Sequence, residues 1–228
     1  MYKFETHLHT LACSGCGRST AEEMIDAAAE HGYSGIVITN HFYHGNTCID
    51  RNLPWREFVN AYAEDYYNAK EYGEKKGITV FFGIEEGFGG GKEMLIYGLT
   101  PEIIADCPEF KDMNLKEKAD FVHKNGGITV CAHPFRNRAY ISDPDTPPDI
   151  SIFDGIECYN HFNEPIDNVK AFIFTKNSGL FMTSGCDIHH HSDFGNAGIE
   201  FFEEIKSYEQ FLSLMKKGEF KLISPYNI

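Results

Sequence analysis

Apolar residues in this chain come in short unbroken runs. They begin with Tyr2-Lys-Phe-Glu-Thr and Gly35-Ile-Val-Ile-Thr-Asn, then Thr79-Val-Phe-Phe-Gly-Ile and Met94-Leu-Ile-Tyr-Gly. Gly127-Ile-Thr-Val-Cys-Ala, Asp154-Gly-Ile and Leu180-Phe-Met-Thr-Ser-Gly-Cys follow. Continuous runs of this length suit strands covered on both faces. Helical segments with clear boundaries lie between them. Ser19-Thr20-Ala21-Glu22 has the capping-box spacing before a helix over 21–29, and Gly32 stops it. A helix over 55–76 starts after Pro54 and ends at Gly77, and Asn114 caps one that ends near Gly126. Another covers 165–177 and stops at Gly179, and Ser207-Tyr-Glu-Gln precedes one over 211–217. This alternation predicts an α/β fold with a parallel sheet. Seven runs precede the final Leu222-Ile-Ser segment, which favours a distorted seven-strand barrel over an open sheet. No glycine-rich phosphate loop follows the first strand, so a dinucleotide fold is excluded. Residues 1–228 read as one domain. The Asp- and Pro-rich stretch 137–149 reads as a long loop over the site.

The ends of these runs carry the chemistry. They deliver His7 and His9, then His41, then Glu85 and Glu86. Glu93 comes with the fourth run, followed by His133, Glu157 with Cys158, and Asp187 with His189. His7 and His9 are two apart, so a strand points both side chains to one face. Ligands at many strand ends predict one polynuclear metal centre at the carboxyl end of a barrel. Imidazole and carboxylate donors suit Zn, Mn and Fe(II).

Charge narrows the partners. With 34 acidic and 20 basic residues among 228, the net charge is −14. An extended nucleic acid is therefore disfavoured, because such binding rests on neutralised phosphates. A phosphorylated ligand held through metals is not, because a bound cation dominates its local field. The seven cysteines are an odd number, and several lie inside apolar runs. They read as reduced thiols of a cytoplasmic protein. No run is long enough to span a membrane, and the oligomeric state is not legible.

Taken in order, His7-Leu8-His9-Thr10, Thr39-Asn40-His41, Gly83-Ile84-Glu85, Ala132-His133-Pro134 and Asp187-Ile188-His189 resemble the PHP superfamily, named for polymerase and histidinol phosphatase. The resemblance implies a distorted (β/α)7 TIM-like barrel that binds two or three divalent ions, Zn, Mn or Fe. It also implies phosphoester hydrolysis by a metal-bridged hydroxide. Carried over by position, His7, His9, Glu85 and Asp187 hold one metal, with Glu85 bridging to a second at His133. His41 and His189 hold a third. This chain departs from many members at two places. No histidine follows His9 within 11–18, where Cys16 offers a thiolate instead, and Glu93 stands where a histidine is usual.

Several residues belong to the expected rim. Arg136, after the His133-Pro134-Phe135 turn, is placed to fork onto phosphate oxygens, or else to pair with Asp143 or Asp145. Arg18 is a second substrate-binding candidate, and Arg136, Asp187 and His189 are the catalytic candidates. Glu86 is expected to face away from Glu85, and only one of Glu157 and Cys158 can point inward. His190 and His191 are expected as loop residues. The leading expectation is hydrolysis of small phosphomonoesters. A 5′-end exonuclease acting on short oligonucleotides and a catalytically quiet metal-binding regulatory domain are the alternatives.

Overall fold

The seven apolar runs lie side by side as strands in the computed structural model, which describes residues 1–225. They are β1 (Tyr2–Leu8), β2 (Gly35–Ile38), β3 (Thr79–Gly89), β4 (Lys92–Tyr97), β5 (Ile128–Cys131), β6 (Gly155–Asn160) and β7 (Phe181–Gly185). Two further strands, β8 (Gly198–Phe201) and β9 (Phe220–Ile223), continue the sheet beyond β1. The helices are α1 (Ala21–Glu30), α2 (Trp55–Lys76), α3 (Pro101–Ala105), α4 (Leu115–Lys124), α5 (Pro165–Lys176) and α6 (Tyr208–Lys217).

The sheet curls until its far edge returns to β1. Leu8 and Ile188 form a parallel bridge just past β7. Thr6 Oγ1 donates to the Ser184 carbonyl at 2.8 Å, and the Cys186 amide donates to Glu5 Oε1 at 2.9 Å. β8 occupies the other half of this seam, pairing antiparallel with Tyr2, Lys3 and Phe4. The result is a nearly closed, distorted TIM-like barrel. Aromatic packing fills its base, where α6 lays Phe211 within 5.3–5.6 Å of the rings of Phe4, Phe81 and Phe201.

Besides the added antiparallel strands β8 and β9, the expectation of a wholly parallel sheet needs one correction among the seven expected strands. β4 runs antiparallel to both β3 and β5. Only two residues separate β3 from β4, too few for a crossover helix, so the chain must turn back as a hairpin. Gly89, Gly90 and Gly91 make that turn with φ of 108°, 62° and 78°, backbone that other residues rarely adopt. The reversal matters for the site. It brings Glu93, near the start of β4, to the barrel end where the other strands finish.

Smaller differences have local causes. The cap of α1 is Thr20 rather than Ser19: its side chain accepts from the Glu23 amide while Glu23 accepts from the Thr20 amide. Ser19 is buried, and its Oγ instead accepts from the His191 amide at 3.1 Å. Residues 137–149 form an irregular rim, tied to the glycine turn by the Ser142 amide on the Gly90 carbonyl at 3.0 Å. The seven cysteines are all unbridged. Among the described residues no helix is long and apolar enough to cross a membrane.

Candidate metal centre

Glu85, at the carboxyl end of the barrel, is the hub of the site. Its Oε1 lies 3.1 Å from His7 Nε2 and 3.1 Å from His133 Nε2. Its Oε2 lies 2.9 Å from His41 Nδ1 and 3.4 Å from His9 Nε2. Asp187 Oδ1 stands 3.4 Å from His7 Nε2 and 3.2 Å from His9 Nε2. Glu93 reaches across from β4, with its carboxylate 3.1 Å from His41 Nδ1 and 3.5 Å from His133 Nε2. His189 closes the outer side, its ring stacked 4.5 Å from that of His9. All eight donors expected from the sequence therefore come together. Donor atoms of His9, His41 and His189 lie within 4.8 Å of one another, as do those of His7, His133 and Asp187, and of His41, Glu85 and Glu93.

These donors point past one another toward shared positions. His41 Nδ1 is buried and makes no hydrogen bond, although Glu85 Oε2 is 2.9 Å away. The Nε2 atoms of His7 and His9 face each other at 3.1 Å. With metal–ligand bonds of about 2.0–2.2 Å, neighbouring donors around one ion sit roughly 2.8–3.6 Å apart. The observed separations fall in that range, so the residues fit divalent ions.

A layer behind the donors fixes their orientation. Glu157 Oε1 holds His7 Nδ1 at 2.9 Å, which leaves Nε2 for the cluster. The other Glu157 oxygen accepts from the His133 amide at 3.0 Å and from Asn160 Nδ2 at 2.9 Å. Ser14 Oγ sits 3.1 Å from His9 Nδ1 and accepts from the His41 amide at 3.0 Å. Among the described residues two non-glycine residues have positive φ, His133 at 27° and Asp187 at 58°. Both are donors of the cluster. Such backbone is uncommon outside glycine and collects at functional sites.

The electrostatics show how tightly the two charge types are coupled. Burial pushes His7 down, but Asp187, Glu157 and Glu85 outweigh it and hold its pKa well above the ordinary imidazole value. Burial would likewise raise Glu85, but His7 and His41 hold it well below the usual carboxylate range. His9 goes the other way, to about 3, through burial and then the neighbouring His41.

The remaining predicted residues take distinct places. Arg136 is buried and spends much of its guanidinium inside the protein. Its Nη2 donates to Asp187 Oδ2 and, at 3.0 Å, to Asn160 Oδ1, and its Nε donates to Asn163 Oδ1 at 2.8 Å. Arg136 still borders the cavity of about 450 Å³ above the cluster. Its partner is thus Asp187; Asp145 pairs instead with Lys170 at 2.7 Å. Arg18 is exposed and borders a neighbouring cavity of about 480 Å³, which shares Cys16 and His189 with the first. Glu157 faces inward, and Cys158 Sγ turns away to the Thr183 carbonyl at 3.3 Å. Glu86 turns from the cluster as expected, yet it is fully buried against Lys118 and His44. His190 lies in the loop after β7, and His191, expected as a loop residue, instead opens a short 3-10 turn, His191–Asp193. Ser14, Asn160, Asn163 and Lys118 join the site or its support without any spacing in the chain that marks them.

A family model described as the PHP domain matches residues 5–120. None of the curated proteins compared matches the chain significantly. Solved structures share the fold at low identity. A proposed metal-dependent phosphoesterase from Bifidobacterium adolescentis has a TM-score of 0.59 at 15% identity, over 82% of this chain and 88% of that one. A two-domain protein from Bacteroides vulgatus containing a predicted PHP-like metal-dependent phosphoesterase gives 0.63 at 19%, over 97% of this chain and 58% of that one. A lesion-specific endonuclease from Pyrococcus furiosus gives 0.64 at 11%, over 97% and 57%.

Proposed function

From the premise that this chain belongs to the PHP domain family, we propose that it is a metal-dependent phosphoesterase acting on small phosphomonoesters. The observation that carries this reading is the convergence of five imidazoles and three carboxylates at the floor of one cavity. About 450 Å³ suits a small ligand. Divalent ions held there supply Lewis-acid polarisation and lower the pKa of the attacking water. The chain's own residues set the stage. Glu157 and Ser14 fix the ring orientations of His7 and His9. Arg136 engages one oxygen of Asp187, so the other faces the cluster. The unengaged part of the Arg136 guanidinium, on the cavity wall, is placed to bind a phosphate oxygen by a charge-assisted hydrogen bond. His189 flanks the opening.

One observation supports the nuclease alternative. The second cavity, with Arg18 on its wall, adjoins the first at Cys16 and His189. That leaves room for an organic group on either side of a phosphate. The test compares turnover of a phosphomonoester, a phosphate bis-ester and a short single-stranded oligonucleotide by Mn-loaded protein. Monoester turnover well above the other two is expected. Preference for the oligonucleotide would favour the nuclease, and no turnover of any would favour a quiet binding domain.

Glu93 permits a sharper prediction. It stands 3.1 Å from His41 Nδ1, and its hard carboxylate favours Mn or Fe(II) over Zn. Glu93→His should raise Zn-supported activity relative to Mn-supported activity, and Glu93→Ala should lower metal stoichiometry by up to one ion. Unchanged metal content and an unchanged Zn-to-Mn ratio in both variants would remove Glu93 from the site.

A further inference from the structure

Beside the metal-binding cluster lies a second set of ionisable groups that the chemistry above does not use. Glu86 follows Glu85 on β3, so it points to the other face of the strand. There it meets Lys118 of α4 in a direct ion pair. Both are almost wholly buried, Glu86 at 0% and Lys118 at 3% exposure. Burying such a pair costs several kcal/mol of desolvation per ion, and its mutual attraction repays this only with good geometry. This one carries a third member. His44 Nδ1 lies 2.7 Å from Glu86 Oε1, and the His44 amide donates to Glu86 Oε2 at 3.1 Å. Lys118 Nζ is 3.2 Å from the same ring nitrogen. The His44 side chain is nonetheless 43% exposed and borders the cavity above the cluster. Its buried edge is Nδ1, so the exposed edge carries Nε2. The backbone is shaped for this approach: a Cβ on Gly87 would lie 2.5 Å from the His44 carbonyl oxygen.

We propose that His44, oriented by the buried Glu86–Lys118 pair, is the residue that protonates the leaving group of the phosphoester; this rests on the phosphoesterase reading. The carboxylate on Nδ1 holds the ring in place, the orienting role of the carboxylate in acid–base dyads, and turns the Nε2 edge to the cavity. In the step, the bond from phosphorus to the ester oxygen breaks with its electron pair on oxygen. The proton on His44 Nε2 moves to that oxygen. A water oxygen forms the new bond to phosphorus, and its proton passes to solvent. The neutral imidazole is then reprotonated from solvent. The products are an alcohol and inorganic phosphate, and no other reagent is consumed.

Leaving-group dependence tests this. Metal-loaded wild type and His44→Gln are compared on p-nitrophenyl phosphate, whose leaving group departs as a stable anion, and on an alkyl phosphate, whose leaving group needs a proton. His44→Gln should keep turnover of the aryl ester within a few-fold. Its kcat on the alkyl ester should fall by about 10²–10⁴-fold, the usual worth of a positioned acid, with KM little changed. Added imidazole should restore alkyl turnover in His44→Ala. Equal losses on both esters, no loss on the alkyl ester, or no rescue would overturn the assignment while leaving the phosphoesterase reading intact. Wild-type protein that turns over neither ester would sink that reading and the proton donor with it.

Discussion

Replacing His7 by alanine, or Asp187 by asparagine, should lower phosphoester turnover by at least about 10²–10³-fold, the scale of losing one preorganised electrostatic contact. Each loses a donor from the same corner of the cluster, where His7 Nε2 and Asp187 Oδ1 are 3.4 Å apart. The double variant should therefore be little worse than either single one, because groups acting as a unit are not additive. Asparagine is the instructive change at position 187. Alanine would strand the buried Arg136 guanidinium, and breaking a buried pair costs about 3–5 kcal/mol. Asparagine also removes the negative charge but keeps a hydrogen-bond acceptor for Arg136, which lessens that cost, and a melting curve separates loss of activity from loss of fold. Steady-state kinetics and thermal melting on the same samples check this. Activity within a few-fold of wild type in either single variant would exclude that corner from the reaction.

Stripping the protein with a chelator should lower its melting temperature, and the gap between loaded and stripped protein should widen as pH rises above about 6.5. Without cations, the charges of Glu85 and Asp187 lean on protonated imidazoles. The pKa of His7, driven down by burial but further up by Asp187, Glu157 and Glu85, is held well above the ordinary imidazole value of 6.5. A group raised in the folded state contributes stability in full below its unfolded value, and loses it as pH climbs through the folded one. The stripped fold thus weakens upward from about pH 6.5. The loaded fold moves the other way, because metal binding displaces those protons and strengthens with pH. Identical melting of stripped and loaded protein across neutral pH would contradict a polynuclear centre.

Much of this architecture is legible in the amino-acid sequence. Strand-end donors such as His7, His9 and Glu85 follow from period-two geometry, which forces alternate residues to one face. The helix boundaries at Pro54, Gly77 and Asn114 follow from local capping and termination chemistry. Other features depend on what the chain meets in three dimensions. Glu93 reads as a strand-start residue, and only the Gly89–Gly91 hairpin carries it to the active end. β8, the four residues Gly198–Phe201, is broken by Glu200 and does not read as an apolar run, and it pairs with the edge of β1 that β2 leaves open. Lys118 sits in Leu-Lys-Glu-Lys-Ala-Asp, the pattern of an ordinary solvated helix. Its burial against Glu86 comes from an element 32 residues away in sequence. Ser14 orients His9 and His41 from a loop with no distinguishing motif.

Elemental analysis of protein purified without chelator tests the central claim most directly. Eight converging donors grouped around Glu85 predict two or three divalent ions per chain, and at least one ion fewer in His7→Ala. Protein that carries no divalent metal, and takes up none when Mn or Zn is supplied, would contradict it.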